Sequence, residues 1–149
     1  MSEQAAQALG SETRPVMTGP LEGLRLLVVD DEADARELVS LLLENAGAVT
    51  VDAASVPEAL EASERFRPDV IVTDIGMPGE DGYDLIQRLR ASGNHCPMLA
   101  LTAYARAEDR RRALNAGFQM HAKKPIEPER LLAVVAELAG RGSAGPSAR

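Results

Sequence analysis

Cysteine, tryptophan and long apolar runs are what this sequence most clearly lacks. One cysteine, Cys96, in 149 residues excludes an internal disulfide, so nothing indicates an oxidising compartment. There is no tryptophan, and two tyrosines and two phenylalanines are the only aromatic residues, so the core must be aliphatic. No apolar run approaches the roughly 18–20 residues that span a bilayer, and no secretory signal pattern opens the chain. We therefore expect a cytoplasmic protein with no membrane partner.

Positive charge is also scarce. The chain has 16 Lys and Arg against 23 Asp and Glu, a net charge of −7. Nucleic acid is therefore not expected as a direct partner, because phosphate backbones attract basic surfaces. The one basic cluster, Arg110–Arg112, is typical of a solvated helix face, although it could also belong to a surface that contacts a partner.

The two ends of the chain have few bulky apolar residues. We expect residues 1–23 to form a flexible leader and residues 140–149 to form a disordered tail. The region between them, residues 24–139, has the length of one compact domain.

Apolar strand patterns and amphipathic helix patterns alternate along that domain. Predicted strands occupy residues 25–29, 49–53, 69–73, 97–101 and 120–122. Predicted helices occupy residues 33–46, a segment capped by Ser55, and residues 83–91, 107–116 and 128–139. The first helix is expected to turn Leu38, Leu41 and Leu42 toward the core. Five strand–helix units predict an α/β fold, a parallel sheet covered by helices on both faces.

Polar residues follow four of the predicted strands. Asp30 and Asp31 end the first strand, Asp74 the third, Thr102 the fourth and Lys124 the fifth. The carboxyl ends of parallel strands lie at one edge of the sheet, so these side chains can converge. Nearby carboxylates repel unless a cation is present, and Mg²⁺ binds carboxylate, water and phosphate oxygens. The edge is therefore a candidate magnesium and phosphoryl site.

Each of these residues also has an ordinary structural interpretation. Asp31 could be the N-cap of the first helix, with Asp34 three residues on. Thr102 alone could be a strand-end hydroxyl, and a Lys–Pro pair is a common loop. Asp74 is harder to explain this way, because it follows three apolar residues and an unpaired buried acid is costly. The coincidence at four strand ends favours function.

At these positions the chain resembles the receiver domains of two-component response regulators. The matching segments, in the order and spacing of that family, are Leu27–Glu32, Asp74–Pro78, Asp81–Gly82, Leu101–Ala103 and Lys124–Pro125. The segments around the threonine and the lysine look most like receivers of hybrid histidine kinases. The resemblance implies a flavodoxin-like domain with five parallel strands in the order 2-1-3-4-5 and five flanking helices.

The resemblance also implies an acceptor and a metal site. Asp74 would accept a phosphoryl group from a phosphohistidine on a sensor histidine kinase or a histidine phosphotransfer domain. Asp31 would bind Mg²⁺ directly, Asp30 mainly through water, and the backbone carbonyl of Gly76 would complete the protein ligands together with Asp74.

Other roles follow from the same resemblance. Lys124 would pair with the acceptor and the phosphoryl group, and its bond to Pro125 is expected to be cis. Thr102 would bind a phosphoryl oxygen and act as a switch. The small Ala103 would leave room for the donor, while Gly76 and Tyr104 would tune loss of the phosphoryl group. His121 stands where many family members have an aromatic switch residue. It is either a partly exposed edge-strand residue or a pH-dependent switch.

Three classes of function remain open on the sequence. The first is a phosphorylated receiver without a fused output domain, since little chain follows residue 139, signalling through its fourth helix, fifth strand and fifth helix. The second is a receiver-fold interaction module that works without phosphorylation. The third is a flavodoxin-like or phosphatase-like enzyme. It is disfavoured because no second Asp stands two residues after Asp74 and because aromatics for flavin stacking are few.

Overall fold

Five strands and five helices alternate in a computed structural model that describes residues 19–103 and 107–141. The strands are β1 (Arg25–Val29), β2 (Val49–Ala53), β3 (Val70–Asp74), β4 (Met98–Thr102) and β5 (Met120–Lys123). The helices are α1 (Ala33–Asn45), α2 (Val56–Phe66), α3 (Gly82–Ala91), α4 (Ala107–Ala116) and α5 (Pro128–Leu138). Within the described ranges, no helix is both long enough and apolar enough to cross a membrane.

The strands form one parallel sheet in the order β2-β1-β3-β4-β5. β1 pairs with both β2 and β3, and Val28 is opposite Val72 in that register. β4 pairs with β3 and β5, with Leu99 opposite Val72 on one side and Met120 on the other. The flavodoxin-like prediction is confirmed, and the carboxyl ends of β1, β3 and β4 lie side by side in the centre of the sheet.

The core has two halves, one on each face of the sheet, because side chains alternate along each strand. One half packs the sheet against α1 and α5, and its largest members include Leu26, Val28, Leu43, Leu99 and Leu131. The other half packs the sheet against α2, α3 and α4, and its members include Leu27, Ile71, Leu85, Ile86 and Phe118. Both are mainly aliphatic, as the composition predicts.

The face that α1 presents to the core differs from the one predicted. Leu38 and Leu41 are 58% and 52% exposed, so their assignment to the core was wrong. Leu43 is buried instead, with Val39 and Leu42 packed beside it. Three consecutive leucines at positions 41–43 fit two adjacent helix faces equally well, and only the docking angle of the helix chooses between them.

The ends of the described region make contacts of their own. Residues 20–23 form a turn, in which Leu21 is fully buried and its N–H donates to the Ala46 carbonyl at 2.9 Å. At the other end, the Gly140 and Arg141 N–H groups donate to the Glu137 and Ala136 carbonyls. Part of the segments expected to be leader and tail is therefore packed on the domain. Residues 1–18 and 142–149 lie outside the described residues.

Candidate functional site

Three carboxylates meet at the carboxyl edge of the sheet. One oxygen from each of Asp30, Asp31 and Asp74 lies within 4.8 Å of the others. Asp30 and Asp74 are only 4% and 8% exposed, because the neighbouring strands β1 and β3 deliver them to the centre of the edge, whereas Asp31 is exposed. The predicted convergence of the acids is thus present in the structure.

Lys124 bridges the two buried acids. Its Nζ lies 3.1 Å from Asp30 Oδ2 and 3.3 Å from Asp74 Oδ1. The loop after β5 brings it there: the Lys124 N–H donates to the Thr102 carbonyl at 2.7 Å, and the Lys124–Pro125 bond is cis, as expected. The cluster has three acidic side chains and one ammonium, so acidic groups are in excess. Mg²⁺ is a hard cation that binds oxygen ligands, and it fits a cluster with an excess of carboxyl groups.

Burial and charge oppose each other at this cluster. Burial raises the pKa of Asp74, the ammonium of Lys124 lowers it and Asp30 raises it further, with a net upward shift. For Lys124, burial favours the neutral amine, but Asp74 and Asp30 outweigh it and raise the pKa of the lysine. Lys124 is therefore firmly cationic at neutral pH, and Asp74 carries its charge at a cost.

Asp74→Asn should stabilise the metal-free protein at pH 7. The raised pKa of Asp74 means that its contribution to stability is present below the unfolded value of 3.8 and is lost as pH rises through the folded value. A neutral amide avoids that loss. We expect urea unfolding to show a higher midpoint for Asp74→Asn at pH 7 and a much smaller difference at pH 3.5, with exposed Asp34→Asn as the control. A lower midpoint at pH 7 would contradict this electrostatic picture.

Backbone hydrogen bonds anchor the loop after β3 directly after Asp74. The Ile75 N–H donates to the Leu101 carbonyl at 3.0 Å, and the Gly82 N–H donates back to the Ile75 carbonyl. A Cβ on Gly82 would lie 2.8 Å from the Asp74 carbonyl oxygen, so only glycine permits this approach. Asp81 and Asp84 form a capping box that starts α3 at this point.

Gly76 lies at the mouth of the site. Its backbone N–H donates to the Asp74 carboxylate and so lowers the pKa of that group, against the larger effect of burial. Nothing lies within 4 Å of the place where a Cβ would stand, so sterics do not require glycine here.

The structural alternative for Asp31 is not supported. The N-cap of α1 is Glu32, which makes no side-chain capping bond. The Glu32 N–H donates instead to Asp30 Oδ1 at 3.0 Å. The Asp31 side chain is therefore not the N-cap of α1, and its carboxylate is available to the acid cluster.

The remaining predicted residues that the structure describes lie on β4, on β5 or directly after β4. Thr102 is buried at the end of β4, and the next residue, Ala103, is exposed. His121 is half-buried on the edge strand β5, opposite Ala100. Burial and Arg110 lower the pKa of His121, while Asp109 acts in the opposite direction. Tyr104 lies outside the described residues.

One contact near the acids was not predicted. The Arg36 guanidinium on α1 donates through Nη1 to the Asp30 carbonyl at 2.7 Å and lies 3.2 Å from Asp52 Oδ2 through Nε. A sequence shows an arginine one turn into the helix after the acid pair, but not which carbonyl it reaches.

The sequence and the fold are similar to those of known proteins. The sequence model of one protein family, described as the response regulator receiver domain, matches residues 26–136. The chain belongs to this family. It is a signalling family of two-component systems, and the matched region contains every predicted site residue.

Several relatives share this receiver. The chain is 44% identical over 117 residues to an uncharacterized 14.6 kDa protein of Leptolyngbya boryana, covering 77% of this chain and 89% of that one. It is 37% identical to the response regulator Rre1 of Synechocystis, covering 85% of this chain and 56% of that one. A match at 34% to hybrid signal transduction histidine kinase D of Dictyostelium discoideum covers 71% of this chain but only 8% of the kinase.

A solved structure gives the same fold. The receiver domain of the Francisella response regulator 1452 superposes with a TM-score of 0.76 at 29% identity, covering 80% of this chain and 98% of that one. This chain is thus similar to a receiver domain of known structure and to segments of longer signalling proteins, including a hybrid kinase.

Proposed function

We propose that this receiver accepts a phosphoryl group on Asp74 from a phosphohistidine of a sensor histidine kinase or a histidine phosphotransfer domain. The observation that carries the proposal is the contact of Lys124 with Asp74, at 3.3 Å, inside a cluster of three carboxylates. An ammonium paired with the nucleophile and an oxygen-rich cation site beside it are what transfer of a phosphoryl group requires.

The reaction exchanges one bond to phosphorus for another. An Asp74 carboxylate oxygen attacks the phosphorus in line, the bond from phosphorus to the imidazole nitrogen breaks, and the imidazole leaves with that electron pair. The product is an acyl phosphate on Asp74, which water later hydrolyses. Lys124 balances the charge on the phosphoryl oxygens throughout, because it already lies between Asp74 and Asp30.

The acid cluster would hold the metal. Asp31 and Asp74 would bind Mg²⁺ directly, Asp30 mainly through water, and the Gly76 carbonyl would add a neutral oxygen. Bound there, Mg²⁺ neutralises the charge of the phosphoryl oxygens and of the acids. The excess of acidic groups in the cluster supports this assignment.

The response would pass through the end of β4. Thr102, which is buried at the end of β4, would bind a phosphoryl oxygen, and Ala103, which is small and exposed, would leave room for the donor. Gly76 and Tyr104 would tune the lifetime of the acyl phosphate, and His121 would respond when Thr102 moves. A downstream protein would then read the face formed by α4, β5 and α5. Arg112 of α4 instead lies over the Tyr83 ring of α3 at 4.1 Å, so this arginine contacts α3 rather than β5 or α5.

Labelling by a small phosphodonor tests this function. We expect the protein to gain one phosphoryl group, seen by intact mass, in the presence of Mg²⁺ and not with a chelator. Asp74→Ala should abolish the gain, whereas Asp34→Ala, which removes an exposed acid from α1, should leave it unchanged. Labelling that persists in Asp74→Ala would overturn the assignment. No labelling from a donor or a kinase would favour an interaction module that works without phosphorylation.

His121 should make folding stability depend on pH. Its lowered pKa means that the unfolded chain binds a proton near pH 6.5 while the folded chain does not. Its contribution to stability is therefore full above about pH 6.5 and falls as pH drops below that value. We expect His121→Phe to lose less unfolding free energy than the unchanged protein between pH 7.5 and pH 5.5. His95→Phe, which removes the other histidine, is the control. Equal losses for the two variants would contradict the assignment.

A further inference from the structure

Arg36 connects the acid pair to the edge strand of the sheet. Its Nη1 donates to the Asp30 carbonyl at 2.7 Å, and its Nε lies 3.2 Å from Asp52 Oδ2 on β2. The arginine side chain is mostly covered, at 19% exposure, whereas Asp52 is 53% exposed. One planar guanidinium thus joins three elements: α1, the β1–α1 loop and β2.

The carbonyl that Arg36 holds belongs to the peptide that joins Asp30 to Asp31. The preceding peptide is fixed separately, because the Asp30 N–H donates to the Ala53 carbonyl at 3.1 Å. With that side fixed, the bond to Arg36 determines the plane of the following peptide. The direction in which the exposed Asp31 leaves the backbone depends on that plane.

We propose that Arg36 is a positioning residue of the metal site, which sets the Asp30–Asp31 peptide, and that Asp52 holds its guanidinium in place. The inference rests on the proposed function, since it assumes that these acids bind Mg²⁺. Lysine cannot replace the arginine, because a single ammonium lacks the fixed fork that spans both partners.

Arg36 could affect the metal site through its positive charge or through the position that it gives the acids. The two roles predict different metal affinities when Arg36 is replaced. If its positive charge were all that mattered, Arg36→Gln would bind a divalent cation more tightly and Arg36→Lys would bind it equally well. If Arg36 orients the acids, both variants bind it more weakly. The sign of the change separates the two roles without any assumption about magnitude.

Calorimetric titration of the metal-free protein with Mg²⁺ provides the test. We expect Arg36→Lys to weaken the affinity about 10-fold, as outer contacts to metal ligands commonly do. Asp52→Asn should weaken it less, and adding Asp52→Asn to Arg36→Lys should have little further effect, because the two act through one contact. Arg65→Lys, which alters an exposed ion pair with Glu61 on α2, is the matched control and should match the unchanged protein.

A second measurement separates positioning from a loss of folding. The Glu32 N–H donates to Asp30 Oδ1, so its amide resonance reports on the acid loop. It should shift in Arg36→Lys and Asp52→Asn while resonances of α3 stay in place. Mg²⁺ affinities within twofold of the unchanged protein in Arg36→Lys would overturn this inference alone. Failure of the unchanged protein to bind Mg²⁺ would overturn it together with the metal site.

Discussion

Lys124→Ala is expected to slow phosphoryl transfer to Asp74 by about 10²–10³-fold, the usual effect of removing one preorganised charge partner from a reacting group. Lys124 Nζ lies within 3.3 Å of both buried acids, so it is in place before the donor arrives. Removing it leaves Asp30 and Asp74 facing each other and takes away the cation that balances the phosphoryl oxygens. The neighbouring Lys123 is exposed, so the same substitution there should change the rate less than about twofold.

The measurement is the initial rate of labelling by a small phosphodonor at saturating Mg²⁺. Circular dichroism should first show that both variants are folded, because Lys124→Ala also unpairs two buried carboxylates. Equal rates for Lys124→Ala and Lys123→Ala would show that Lys124 contributes nothing to transfer, and the electrostatic account of the site would then be wrong.

Leu99→Ala should be among the most destabilising substitutions in the chain, at about 2–5 kcal/mol. Leu99 is fully buried in the middle of β4, between β3 and β5, and it belongs to the core half that α1 and α5 cover. The cavity left there cannot fill easily, since strands on both sides fix the backbone. Leu38→Ala, the same change at an exposed position of α1, should cost less than about 0.5 kcal/mol.

Urea unfolding of both variants checks this contrast. A large loss for Leu38→Ala would mean that α1 docks with the face that the sequence first suggested, and that the described packing is wrong. A loss of unfolding free energy below about 1 kcal/mol for Leu99→Ala would mean that the surrounding core relaxes to fill the cavity, which contradicts the rigid packing described for β4.

Most of the fold was readable from the sequence because strand and helix signals alternate without a break. Val70–Val72 is a continuous apolar run, typical of a strand buried on both faces, and the structure places β3 at the centre of the sheet. The sequence also predicted that the acids at the ends of β1 and β3 lie close together, since the carboxyl ends of parallel strands share one edge of the sheet. The structure puts their oxygens within 4.8 Å.

What the sequence could not supply are contacts fixed by orientation. The three consecutive leucines of α1 do not reveal which face docks. The bond from Arg36 to the Asp30 carbonyl depends on a side-chain path across two elements, for which no periodic signal exists. The Asp81–Asp84 capping box and the close approach of Gly82 to the Asp74 carbonyl appear only in three dimensions.

The direct test of the central claim is the identity of the phosphorylated residue. After labelling in Mg²⁺, borohydride reduction of the acyl phosphate marks its position, and peptide mass spectrometry then locates the mark. We expect it on Asp74, the acid that contacts Lys124 and lies beside the Asp30–Asp31 pair. A mark on any other residue, or none in a protein that binds Mg²⁺ and is exposed to its donor, would contradict the account.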